Sequence, residues 1–383
     1  RMTDGQTPVA DEGEQFEPVW VSPREALDRH EAGSFSMIFP TIRTLRRLAS
    51  RPSIDDVIAA CRGERPLFVS SPRGAHFKGS VERFSEGEMQ FGELELVAPD
   101  GRILHALDWQ HEKAVPLTRH IQRLTAPNPG MMTGPGTNTY LLGHRQIAVL
   151  DPGPADAEHL RAILAAAGAP IRWVVVTHTH SDHSPLARQL AQLTGAELIG
   201  MPPPSDGRQD TSFVPQRVPA DGELLELGDV SLRAVRTPGH ASNCVCYLFE
   251  PARMLFSGDH VLEGVTPVIL PPDGDMGDYL DSVEKLMSMP FDSIAPGHGG
   301  VIADGKGMLA MLRKHRMMRE AKVVNALRAA GASTIEELTP SVYDDVPADR
   351  HRWAQLTLEA HLLKLARDRR VTLSGSKWAL IDA

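Results

Sequence analysis

An α/β fold with a separate C-terminal module is what this sequence predicts, and three observations predict it. Trp173 to Val176 is a short, apolar, β-branched run with no polar break, the pattern of a strand buried on both faces. It ends abruptly in His178, His180, Asp182 and His183, four metal-competent side chains within six positions. Strand and helix patterns alternate around that run, and further His and Asp residues stand where other apolar runs end.

In an extended segment, residues two apart point the same way, so His178, His180 and Asp182 can converge on one side. Imidazole nitrogens and a carboxylate oxygen suit zinc or another borderline divalent metal. A lone histidine is usually a surface or hydrogen-bonded core residue, but four ligand types at one strand end are not accounted for in that way. Three more signals follow. Thr237-Pro238-Gly239-His240 places a His at the end of a strand, Met254 to His260 places Asp259 just after another, and Ser293 to Gly299 places His298 in a tight glycine turn.

Composition sets the frame. With 383 residues the chain can bury a sizeable core, and its length suits two or three domains. A net charge of −9 argues against a surface covered in nucleic-acid-binding residues while leaving room for a local patch. Cys61, Cys244 and Cys246 form neither a C-x-x-C pair nor a disulfide framework, as expected in a reducing compartment. No apolar run of membrane-spanning length occurs and residues 1–13 are acidic and polar, so the expected location is cytoplasmic, with no membrane partner.

Taken in order, residues 1–112 form an α+β segment with little chemistry. Ser22 is placed as an N-cap with Pro23 at the first helical position and Glu25 completing a capping box. Further helices are predicted over Pro40 to Ser50 and Ile54 to Cys61, and strands over 67–69, 92–97 and 103–109. The central segment, 113–307, opens with a glycine-rich turn, Gly134-Pro135-Gly136-Thr137, feeding a strand at Thr139 to Leu142. Gln146 to Leu150 is another strand, closed by Asp151-Pro152-Gly153, and a helix over Ala155 to Ala167 leads to the strand at Trp173. Pro202 to Gly207 is a loop, and Gly222 to Val235 reads as short strands. In 308–383, helices are predicted over Met308 to Ala330, Thr334 to Tyr343 and Asp349 to Arg369, followed by a two-stranded wing over Val371 to Leu380.

The ordered set H-x-H-x-D-H, T-P-G-H, S-G-D and P-G-H-G resembles the metallo-β-lactamase superfamily over about Leu117 to Gly307. The resemblance implies an αββα sandwich with two metal ions in a cleft along one edge, most simply two Zn2+, with Mn or Fe as other divalent candidates. Carried over by position, His178, His180 and His240 hold one metal; Asp182, His183 and His298 hold the second; Asp259 bridges both. His260 matches no ligand position and is expected to be structural. Ser184-Pro185 stands where many members carry Gly-Gly, which alters the loop and not the ligands.

Within the superfamily, the stretch Asn128 to Gly143, the phrase Asp151-Pro152-Gly153-Pro154 and the turn Ala295 to Ile302 look like the lactamase-β-like single-strand endoribonucleases, which carry a C-terminal winged-helix module. The stretch Trp20 to Leu48 resembles the C-terminal tail of Nudix hydrolases, but the Glu-rich, magnesium-binding Nudix box is absent, so a structural or dimer-forming role is expected there.

The expected activity is therefore that of a zinc-dependent hydrolase using a metal-bridging hydroxide, with Asp182 as the catalytic acid/base. Two classes of substrate stay open. Met308 to Ala383 carries 13 Lys+Arg against 9 Asp+Glu, an excess of +4 in a chain that is otherwise −13, which favours single-stranded RNA. A small ester, thioester, lactam or lactone, as in a glyoxalase-II-like thioesterase, is the alternative, and a non-catalytic metal-binding interaction scaffold is a third reading. Only 39 positions separate Asp259 from His298, too few for the insertion of the β-CASP nucleases.

Overall fold

The protein is described here by a computed structural model covering residues 19–63, 73–77, 80–84, 109, 111–205, 208–348 and 351–381, with the backbone alone at 63, 73–77 and 80–84. The backbone divides into two compact units, residues 1–69 and 70–383.

Among the described residues, the first unit contains three helices. Helix α1 (Pro23–Glu31) begins as its sequence requires: Pro23 needs no N–H partner at the first position, and Ser22 Oγ accepts from the Glu25 N–H at 3.2 Å. The capping box is half formed, because the Glu25 carboxylate accepts from Arg29 one turn on. Helices α2 (Phe39–Ala49) and α3 (Ile54–Gly63) follow within two residues of their predicted bounds.

The second unit starts with a hairpin, β1 (Arg73–Phe77) and β2 (Ser80–Phe84), that no apolar run announces. The strands expected over 67–69 and 92–97, and all of 103–109 but its last residue, lie outside the described residues. Then come β3 (Val115–Thr118), β4 (Ile121–Thr125), β5 (Asn138–Leu142), β6 (Ile147–Leu150), α4 (Ala157–Ala166), β7 (Ile171–Val175), α5 (Leu186–Thr194) and β8 (Glu197–Ile199). These strands pair in chain order as one sheet, antiparallel up to β6 and parallel from β6 to β8. The second sheet is built from β9 (Leu224–Leu227), β10 (Val230–Arg236), β11 (Val245–Phe249) and β12 (Met254–Gly258), with β13 (Ser293–Pro296) returning parallel to β12 after α6 (Met276–Met287).

Each sheet is apolar on both faces, which makes the layers inevitable. Between the sheets lie Tyr140, Leu142, Leu150 and Val175 from the first and Leu232, Val245, Tyr247 and Phe256 from the second. Leu160, Ile163, Leu186 and Leu190 of α4 and α5 cover the outer face of the first sheet. Tyr279, Val283 and Leu286 of α6 cover the second, and Leu309 and Leu312 join them from α7 (Gly305–Ala330). The result is an αββα sandwich. Two tyrosines tie its sheets together at one end: Tyr140 Oη donates to Pro296 O at 2.6 Å, and Tyr247 Oη to Val176 O at 3.1 Å.

Beyond α7, helices α8 (Ile335–Val342) and α9 (His351–Arg367) and the hairpin of β14 (Val371–Ser374) and β15 (Lys377–Leu380) enclose a core of their own around Leu338, Leu358, Leu362 and Trp378. Thr334 and Glu337 form a complete capping box at the start of α8.

His361 on α9 is fully buried, and neither ring nitrogen has a hydrogen-bond partner. Burial, helped by Arg316, Arg319, Lys364 and His315, holds its pKa down at about 3. An unfolded chain takes up that proton near pH 6.5, so the stability contributed by neutral His361 is present above pH 6.5 and lost as the pH falls. Urea unfolding at pH 6.5 and 5 is expected to show a loss of roughly 1.5 kcal/mol from this residue. His361→Leu should flatten the pH dependence by that amount; parallel profiles for the two proteins would contradict a neutral, buried ring.

Candidate metal centre

Four strand ends meet at one edge of the sandwich. Past β7 the chain turns through His178, His180, Asp182 and His183; past β10 it delivers His240; past β12, Asp259; past β13, His298. Register explains why the last two are neighbours: Gly258 pairs with Pro296 across the parallel strands, and the Gly297 N–H donates to Gly258 O at 2.8 Å. All seven side chains predicted from the sequence come together here, and His260 does not join them. Its ring instead packs at a tilt against Tyr279, with centroids 4.7 Å apart.

Seven side chains form three overlapping groups that could each hold an ion: His178, His180 and His240; His178, His183 and Asp259; Asp182, His183 and His298. In the first, His178 Nε2 and His240 Nε2 stand 3.0 and 3.1 Å from His180 Nδ1. The opposite nitrogens decide their protonation. His240 Nδ1 faces the carbonyl of Val268 at 2.7 Å and must donate. His178 Nδ1 faces Thr177 Oγ1, whose own proton goes to Asp151 Oδ2 at 2.7 Å, so it donates as well. Both Nε2 atoms therefore aim lone pairs at one point. Burial holds His178 well below its usual pKa, and burial together with His240 brings His180 down to about 3. These rings are neutral, the form a metal requires.

The other side is charged. His183 Nδ1 donates to Asp151 Oδ2 at 3.0 Å and His298 Nδ1 to Gly136 O at 3.1 Å, which turns both Nε2 atoms inward. There His183 Nε2, His298 Nε2 and Asp259 Oδ1 are buried without a hydrogen-bond partner. Asp259 Oδ1 lies 3.3 Å from each of those nitrogens, while its Oδ2 faces His240 Nε2 at 3.7 Å. One carboxylate thus turns an oxygen toward each half. Asp182 Oδ2 sits 3.2 Å from His298 Nε2 and accepts from Thr137 Oγ1 at 3.3 Å. Burial would raise the Asp182 pKa, but His183 and His298 bring it to about 2. The same carboxylates overcome burial and lift His298 to about 9. Converging lone pairs on one side and excess negative charge on the other both fit divalent cations.

Sequence reasoning missed the residues behind the cluster. Asp151, fully buried with φ of 49°, accepts from His183 Nδ1, Thr177 N and Thr177 Oγ1, and so orients His183 directly and His178 through Thr177. Its signal was present: a carboxylate closing the apolar run Ile147–Leu150, the same strand-end placement that exposed Asp259. Asn128, which donates to Thr137 Oγ1 and accepts from Thr137 N, steadies the hydroxyl that reaches Asp182.

Comparison with known proteins agrees with this geometry. Residues 132–298 match the family model of the metallo-beta-lactamase superfamily. An atrochrysone carboxyl ACP thioesterase from Aspergillus chevalieri is 32% identical over 286 residues, covering 69% of this chain and 88% of that protein. The chain belongs to the metallo-beta-lactamase superfamily. Residues 334–378 match the beta-lactamase associated winged helix domain, so α8, α9 and the β14–β15 hairpin are a winged helix appended to the superfamily sandwich. A beta-lactamase-like protein 2 homolog from Caenorhabditis elegans is 29% identical over 262 residues, covering 66% of this chain and 86% of its own length. Among solved structures, a metallo-beta-lactamase family protein from Thermus thermophilus (TM-score 0.58, 23% identity, 70% of this chain and 100% of that one) shares the fold. So does a beta-lactamase domain protein from Burkholderia ambifaria (TM-score 0.61, 20% identity, 74% and 96%).

Asp151→Asn tests the supporting network. The amide replaces an oxygen that accepts from two donors, so zinc affinity measured by chelator competition should fall about 10–100-fold. His260→Ala, which removes a ring that hydrogen-bonds to none of the cluster, should keep wild-type affinity. The reverse ranking would show that the network has been misread.

Proposed function

We propose that this superfamily hydrolase is a dinuclear metal enzyme that cleaves acyl thioesters. The observation that carries the reading is Asp259, which turns one oxygen toward His183 and His298 and the other toward His240. His178, His180 and His240 would hold one cation and Asp182, His183 and His298 the other, with Asp259 shared. Two zinc ions there would supply Lewis acidity and a water nucleophile at neutral pH.

The chain's own residues account for the rest. Thr137 holds the Asp182 carboxylate by one oxygen, and its low pKa keeps Asp182 ionised, so that it can orient water by accepting a hydrogen bond and take the proton released as the acyl carbon is attacked. The side chain is 22% exposed, the most open carboxylate of the set, so the proton has a route out. A thiolate needs little help to leave, since its conjugate acid has a pKa of about 8.5. The water oxygen bonds to the acyl carbon, the C–S bond breaks, and a carboxylic acid and a thiol result.

The thioester class is supported by the 32% identical relatives named as acyl-carrier thioesterases in Aspergillus chevalieri and Aspergillus fumigatus. Single-stranded RNA, the substrate expected from the basic tail, is the second reading, and the winged helix is what favours it. Much of that tail's positive charge is engaged inside the chain, however. Arg319 pairs with Asp345, Lys322 with Asp344, Lys364 and Arg370 with Glu320, and Arg367 with Asp275 and Asp278. Phosphate contacts need cations that are not already neutralised. Among the described residues no helix is long and apolar enough to cross a membrane.

Purified protein loaded with zinc should approach two metal equivalents by elemental analysis and hydrolyse a coenzyme A or glutathione thioester. Asp182→Asn should lose about 10²–10⁴-fold in turnover while retaining most of its metal. Rapid cleavage of single-stranded RNA at low salt, with thioesters left intact, would replace the thioesterase reading with the nuclease one.

A further inference from the structure

Most of the centre is held from one side, where Asp151 also orients His178 through Thr177. Asp151, Gly136 and Thr137, all from the first sheet and its loops, fix His183, His298 and Asp182. His240 is held from the opposite side, and the residues that hold it lead to the C-terminal helices.

The first route is a loop. His240 Nδ1 donates to Val268 O, and the carbonyl just before it, Pro267 O, accepts Nη2 of Arg316 on α7. Arg316 is 2% exposed, and its guanidinium carbon lies 5.3 Å from the Tyr279 ring centroid. Among the described residues no carboxylate pairs with it. Removing a guanidinium from water against a carbonyl and an aromatic face is costly, and an apolar side chain would fill the space without that cost. What the arginine adds is a grip on the 267–268 backbone.

The second route is α6. Gly239, with φ of 142°, lies directly on this helix: a Cβ there would stand 2.3 Å from Tyr279 Cα. Asp275 N donates to Gly239 O at 2.9 Å, and Ser282 Oγ to Pro238 O at 2.8 Å. The first turn of α6 is clasped in turn by Arg367 of α9. Its Nη1 donates to Asp278 Oδ1 at 3.1 Å, and its Nη2 stands 3.3 Å from Asp275 Oδ1. The guanidinium passes so close that a Cβ on Gly277 would lie 1.5 Å from Nη2. Ala360 of α9 completes the contact by packing in the core that holds Met276 and Tyr279.

We propose that Arg316 and Arg367 are positioning residues through which the C-terminal helices set the His240 ring, making α7 and the winged helix a buttress for one half of the metal centre. The proposal rests on the dinuclear reading above. It assigns the module a task that requires no nucleic acid, and it explains why Arg316 reaches the 267–268 loop and Arg367 clasps α6.

The test uses full-length protein stripped of metal and titrated with cobalt(II), followed by its visible spectrum, and with zinc against a chromogenic chelator. His240→Ala and His298→Ala identify which binding phase belongs to which half. Arg316→Met is expected to weaken the His240 phase about 10–100-fold and leave the His298 phase unchanged. Arg367→Gln should weaken the same phase, and Arg316→Lys, which can still donate to Pro267 O, should restore most of the loss. Unchanged phases in a folded Arg316→Met protein would overturn the proposal. So would an equal weakening of both phases together with a lower Tm, since that is general loosening. Wild-type protein that takes up no metal would remove the dinuclear reading itself, a result none of the variants can mimic.

Discussion

The structure depends on a set of imidazole and carboxylate groups held face to face at one edge of the sandwich. His178 Nε2 and His240 Nε2 point lone pairs toward His180 from 3.0 and 3.1 Å, and Asp182 and Asp259 crowd their carboxylates against His183 and His298. Hydrogen bonds on the far side of four of the five rings prevent them from turning away: Thr177 for His178, Val268 for His240, Asp151 for His183, Gly136 for His298. Such second-layer bonds set tautomer and direction together. The two sheets, joined at this end by Tyr140 and Tyr247, supply the rigidity that keeps these groups together.

That arrangement is indifferent to the electrophile. Lewis acidity and an ionised carboxylate serve a thioester and a phosphodiester alike, so the choice of substrate falls to what surrounds the centre. Here the chain is acidic overall, and its locally basic segment turns many of its cations toward carboxylates of the same chain. A long polyanion gains little from such a surface, whereas a compact thioester does not need one. The C-terminal helices are then better understood by what they press against, α6 and the loop beside His240, than by their charge.

How much could be read in the sequence follows from how local each signal is. Six of the seven donors sit within a few residues of an apolar run, and the seventh, His298, sits in a glycine turn after one; a strand end is a short-range pattern. The helix predicted over Thr334 to Tyr343 matches α8 for the same reason. Asp151 obeys the strand-end rule too, but it works behind the rings, and nothing local separates a carboxylate that faces an ion from one that faces an imidazole. The Arg370–Glu320 and Arg367–Asp278 pairs join residues 50 and 89 positions apart, so a local charge count treated those arginines as free. The β1–β2 hairpin was missed because Arg73–Phe77 and Ser80–Phe84 mix charged and apolar residues with no sustained run.

The central claim is that two cations occupy this edge with Asp259 between them. Crystals of zinc-loaded protein, with diffraction recorded on both sides of the zinc absorption edge, measure this directly. The account predicts two anomalous peaks roughly 3.5–4 Å apart, one among His178, His180 and His240 and one among Asp182, His183 and His298, each within bonding distance of an Asp259 oxygen. A single peak, or two peaks that leave Asp259 uncoordinated, would contradict it.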